Sequence, residues 1–107
     1  MRHRRSNVRS EDVRTKRFNA LKFDGCYDVQ EVDQFLDQAA ATLEAFESGH
    51  PEEAQIAGAH EVEAVKFTSR VYERGYSAQE VDVFLEELAD AIARYKRSED
   101  ATDAKGS

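Results

Sequence analysis

Asp33 and Asp37 stand four residues apart, just beyond Tyr27, and Asp82 with Glu86 repeats the arrangement beyond Tyr76. Carboxylates at that spacing share one face of a helix, where their repulsion costs a few tenths of a kcal/mol. A cation can offset it, because one guanidinium can bridge two carboxylates through charge-assisted bonds and stack on a tyrosine ring. The chemistry this suggests is the binding of a positively charged group. A plainer alternative is a solvated acidic face, with Tyr27 and Tyr76 as packing residues and Asp33 and Asp82 paired to the chain's own Arg or Lys. Catalysis would need a pocket that separates two carboxylate pKa values, a nucleophile motif or a glycine-rich phosphate loop. The sequence supplies none of these, and the expectation is a non-enzymatic protein. Cys26 has no second cysteine to pair with, and Cys26 with His3, His50 and His60 lacks the short ligand spacings of a structural zinc site, so no metal or cofactor is expected.

These acids belong to a module written twice, at Phe18–Phe46 and Phe67–Tyr95, offset by 49 positions. Phe18/Phe67, Tyr27/Tyr76, Gln30/Gln79, Glu31/Glu80, Val32/Val81, Asp33/Asp82, Phe35/Phe84, Leu36/Leu85 and Ala40/Ala89 are identical. Average composition would give roughly two such matches. Solenoids and propellers need about three repeats to cover their faces, so two copies imply a pair that packs together.

Each acid pair is positioned by a helix whose start is strongly marked. Asp28 to Glu31 reads as a capping box, with Asp28 accepting from the Glu31 amide and the Glu31 side chain reaching back; Ser77 to Glu80 repeats it. Tyr27 and Tyr76 are placed to staple onto Val32 and Val81. Apolar residues then fall at 29, 32, 36, 39, 43 and 46, and at 78, 81, 85, 88, 92 and 95, two seams of alternating three- and four-residue steps. Each seam is shorter than a free-standing coiled coil requires; the two are expected to pack on each other or across a homodimer, in a direction the sequence leaves open. Phe18 and Phe67 are the expected partners of Phe35 and Phe84. A first helix is expected to open with Ser10 as its cap and to end by Phe23, and another to run over 51–73, with Gly49 and Pro51 marking the stop and restart.

The chain has 107 residues, 35% of them charged, with no Trp and one Pro. Abundant Ala, Glu, Gln, Leu and Arg favour helix. The expected fold is all-α: two helix-turn-helix repeats in a four-helix arrangement, with a disordered basic arm at 1–9, repeats at 10–47 and 59–97 joined by a connector at 48–58, and a disordered polar tail at 98–107. The net charge of −7 divides into +5 over residues 1–17 and −12 over the rest. Such an arm could touch phosphate or anionic lipid, or remain solvated. No apolar run approaches a membrane span or a signal peptide, which makes the cytoplasm the expected location.

The residues Phe18, Tyr27-Asp28, Glu31-Val32-Asp33 and Phe35-Leu36-Asp37, and again Phe67, Gly75-Tyr76, Glu80-Val81-Asp82 and Phe84-Leu85-Glu86, resemble the N-terminal domain of the DivIVA/GpsB family. The likeness spans about two-thirds of the chain, and short tandem versions of this kind resemble actinobacterial ones. It implies a bacterial cytoplasmic scaffold of cell division or polar growth, at the inner face of the membrane at septum or pole. It also implies that Tyr27, Asp33, Asp37, Tyr76, Asp82 and Glu86 hold arginines in the cytoplasmic segments of division or cell-wall-synthesis proteins. The family's membrane contact would fall on Phe23, Tyr72 and Arg74, although Asp24 and Glu73 at the same turns oppose lipid insertion. Copy one also departs from the Gly-Tyr pattern, with Cys26 before Tyr27. The family usually continues into long coiled coils, whereas little sequence follows Tyr95, so filament-like assembly is not expected.

Three readings follow. The first is an adaptor that binds basic peptide segments. The second is a subunit that pairs its seams with a longer DivIVA-type coiled coil. The third is a binder of nucleic acid or anionic membrane through the basic arm; no recognition motif or aromatic interleaving accompanies the arm, which argues against nucleic acid.

Overall fold

The computed structural model describes residues 8–21, 25–70 and 74–106, with side chains over 8–20, 25–69 and 74–96. The fold is mainly helical: α1 (Ser10–Thr15), α2 (Val29–Glu47), α3 (Ala59–Ala64) and α4 (Ala78–Gly106), with a 3₁₀ turn at Pro51–Glu53. Four short strands, β1 (Ala20–Leu21), β2 (Cys26–Tyr27), β3 (Ser69–Arg70) and β4 (Gly75–Ser77), form one antiparallel sheet ordered β1-β4-β2-β3.

The two seams meet in one core. Val32, Ala39, Leu43, Val81, Leu88 and Ile92 are fully buried. Each of the larger side chains among them contributes about 1.5–3 kcal/mol by leaving water. Tyr27 registers with Tyr76 at the start of α2 and α4. Farther along, Phe46 stacks on Tyr95 with centroids 5.1 Å apart and planes 15° apart. The seam helices therefore run parallel. The direction the sequence leaves open is set by the stretch between them, which returns along the bundle instead of turning back at once.

That return is mostly not helical, contrary to the expectation for 51–73. Thr42, buried on α2, donates to the Gln38 carbonyl and accepts from the amides of Gln55 and Ile56. Those bonds hold the chain irregular between the 3₁₀ turn and α3 and seat Ile56 in the core. The helix expected from Ser10 to Phe23 likewise ends at Thr15. Its cap is Arg9, whose amide donates to Asp12 Oδ2. Ser10 instead ties α1 to the far end of α2, donating through its amide and hydroxyl to Glu47, while Arg14 pairs with Glu44 at 2.7 Å. The polar tail expected at 98–107 differs too, since α4 continues as helix to Gly106.

The four-helix expectation thus becomes four helices around a small sheet, and the sheet interlaces the copies. β1 of copy one pairs with β4 of copy two, and β3 of copy two pairs with β2 of copy one. The aromatic pairs cross in the same way. Phe18 packs on Tyr76 and Phe84, and Phe67 packs on Tyr27 and Phe35, so each tyrosine ring lies tilted against the other copy's phenylalanine.

Candidate functional site

Helix capping fixes where the acidic faces begin. Asp28 Oδ2 accepts from the Glu31 amide at 3.0 Å, and Ser77 Oγ from the Glu80 amide at 3.3 Å. The return half of each expected capping box goes elsewhere. The Glu31 carboxylate receives the Thr68 amide and hydroxyl at 2.7 and 2.8 Å, and the Glu80 carboxylate receives the Asn19 amide and side-chain amide at 2.9 and 2.6 Å. Two donors from Asn19, the backbone amide foremost, hold the Glu80 carboxyl below its ordinary pKa, with Lys16 adding to the effect against some desolvation. Asn19 and Thr68 are the positioning residues that sequence reasoning missed. Both lie one residue after the repeated Phe, at the same 49-residue offset, and that was the available signal.

The tyrosines and acids come together, but across the copies. The Tyr27 hydroxyl donates to Asp82 Oδ1 at 2.9 Å, and the Tyr76 hydroxyl donates to Asp33 Oδ1 at 2.8 Å. The expected grouping of Tyr27 with Asp33 and Asp37, and of Tyr76 with Asp82 and Glu86, is therefore corrected. One corner holds Tyr27, Asp82 and, one turn on, Glu86; the other holds Tyr76, Asp33 and Asp37. The cause is the interlaced sheet, which carries each tyrosine toward the opposite seam helix.

All four acids are exposed, and both tyrosines are half-buried. Burial raises the Tyr27 and Tyr76 phenols above their ordinary value, reinforced by the hydrogen bond and then the negative charge of the facing Asp; Arg17 partly opposes the shift at Tyr76. The phenols therefore stay neutral and act as donors that orient the carboxylates. Among the described residues, no Lys, Arg or His forms an ion pair with Asp33, Asp37, Asp82 or Glu86. Asp33 and Asp82 thus pair, among the described residues, with tyrosine, each through Oδ1.

Other chemistry is sparse. An open groove of about 580 Å³ lies between α1 and α4, floored by Phe84 and rimmed by Asp12, Lys16, Arg17 and Glu87. The Lys16 ammonium sits 5.2 Å from the centroid of the Phe84 ring and 5.6 Å from that of Phe18. His50, Glu52 and Glu53 place their ligand atoms within 4.8 Å of one another on an exposed turn. Cys26 is buried in β2. Of the expected membrane-contact residues, Arg74 is exposed, while Phe23 and Tyr72 lie outside the described residues. Among the described residues no helix is long and apolar enough to cross a membrane. Comparison of the chain with protein-family models, curated proteins and solved structures gives no match.

Proposed function

We propose that this chain is a non-enzymatic adaptor of bacterial cell division or polar growth, which grips basic segments of partner proteins at its two tyrosine-acid corners. The observation that carries the reading is that Asp33 and Asp82 are each oriented by a tyrosine of the other copy while remaining exposed and without a cationic partner among the described residues. A preset carboxylate loses less conformational entropy when it captures a guanidinium, and charge-assisted bonds are the stronger class. Asp37 and Glu86, one turn farther on, supply a second carboxylate for a bridged cation. The likeness to the DivIVA/GpsB family supplies the cellular context, the cytoplasmic face of the septum or pole.

Pairing of the seams with a longer coiled coil is the weaker reading, because Val32, Leu43, Val81 and Ile92 are already buried against one another. The basic arm lies largely outside the described residues and adds no support for a phosphate or lipid site. Affinity capture from a cell lysate tests the adaptor reading. Wild type should retain proteins with Arg-rich cytoplasmic segments, and the Asp33→Asn/Asp82→Asn double variant should release them. Equal retention by both forms would refute it.

A further inference from the structure

The cross-copy contacts of the sheet, the acidic corners and the phenylalanines have counterparts 49 residues away. Tyr27–Asp82 corresponds to Asp33–Tyr76, Glu31–Thr68 to Asn19–Glu80, and Phe67–Phe35 to Phe18–Phe84. The chain therefore has the internal symmetry of an isologous dimer, in which one patch meets a copy of itself. The axis passes between β2 and β4, and there the two copies differ. Copy one has Cys26 where copy two has Gly75.

The difference is steric. A Cβ on Gly75 would lie 2.4 Å from the Tyr27 carbonyl oxygen, 3.1 Å from Cys26 Cβ and 3.2 Å from Cys26 Sγ. Gly75 is itself buried. The glycine is required for space: the Tyr27 carbonyl oxygen forbids a Cβ there, and the buried Cys26 side chain lies close against the same spot. Only one of the two axis positions can carry a side chain.

We propose that this position is a pairing key, by which copy one of the module associates with copy two and is barred from associating with another copy one. Two copy-one modules would set Cys26 against Cys26 and recreate the overlap. Two copy-two modules would set Gly75 against Gly75 and leave the cysteine's place as a void, a weaker but permitted pairing. The module thus closes within the chain, or exchanges copy for copy with a second chain, but does not build like-with-like arrays. This inference is independent of what the acidic corners bind.

A protease site inserted at the exposed Gly49–His50 turn of the full chain allows the two halves to be cut apart, unfolded, refolded together and weighed by native mass spectrometry. The wild-type halves should give one-to-two pairs and no pairs of copy one, and Cys26→Gly should make copy-one pairs appear. Copy-one pairs in the wild type, or none with Cys26→Gly, would overturn the proposal. If the cut halves do not refold, thermal melting of the uncut chain decides. Gly75→Cys should melt at least about 10 °C below wild type, and Gly75→Ala, which adds only the Cβ that overlaps the Tyr27 carbonyl oxygen, should show most of the same loss. A Gly75→Cys or Gly75→Ala variant that melts like wild type would overturn the proposal.

Discussion

Tyr27 and Asp82, 55 positions apart, share a 2.9 Å hydrogen bond that joins the sheet strand of one copy of the module to the seam helix of the other. The bond makes the candidate site a product of both copies, so an injury to either half should reach both corners. Four predictions follow from the packing around it.

The buried Thr42 hydroxyl on α2 accepts from two successive amides, those of Gln55 and Ile56. Thr42→Val preserves the shape and removes the acceptor, and should destabilise by about 2–4 kcal/mol, since orphaned amides retain their desolvation cost. Thr42→Ser keeps the hydroxyl and should lose about 1 kcal/mol for the missing methyl. Urea titration of the two variants measures the difference.

The raised tyrosine pKa values fix the sign of an alkaline effect. Each contributes its stability in full below about pH 10, and loses it as the pH rises from there through the folded-state value, because the unfolded phenol ionises first. Tyr27→Phe/Tyr76→Phe should be less stable than wild type at neutral pH, by about 0.5–1.5 kcal/mol per lost bond, and should show a shallower decline above pH 10 in a thermal-melt series.

Glu80 acts at the other end of the scale. Its carboxyl is held low by the Asn19 donors, so its contribution is present above the ordinary glutamate range and disappears as the pH falls through the folded-state value. Glu80→Gln should flatten the acid limb of the stability profile. Asn19→Ala should flatten it partly, because the backbone amide remains.

The parallel course of α2 and α4 sets a distance. Spin labels at Glu47 and Lys96, one residue beyond the stacked Phe46 and Tyr95, should lie within about 20 Å of each other. An up-down pair of 19-residue helices would hold them about 30 Å apart. Pulsed electron-spin measurement separates the two.

The seams were legible in the sequence because burial on a helix imposes a period, and Val32, Leu43, Val81 and Ile92 all occupy the positions that period assigns. The caps at Asp28 and Ser77 were legible for the same local reason. What could not be read was the crossing. An identical motif at both sites fits Tyr27 beside Asp33 or beside Asp82 equally well, and only the strand order decides. Residues 16–23 and 51–73 have adequate helix propensity, and where the structure describes them as extended it is through long-range partners: Glu80 for Asn19, Glu31 for Thr68 and Thr42 for Ile56. Propensity is worth tenths of a kcal/mol per residue and yields to such bonds.

The most direct test of the crossed, cation-binding corners is a double-mutant cycle on affinity for an arginine-bearing peptide, measured by calorimetric titration at low salt with Tyr27→Phe, Asp33→Asn and Asp82→Asn. Tyr27→Phe should be non-additive with Asp82→Asn, with a coupling of at least about 0.5 kcal/mol, and additive with Asp33→Asn. Affinity should also fall as salt is raised. Coupling of Tyr27 to Asp33 instead, or peptide affinity unchanged in all three variants, would contradict the account.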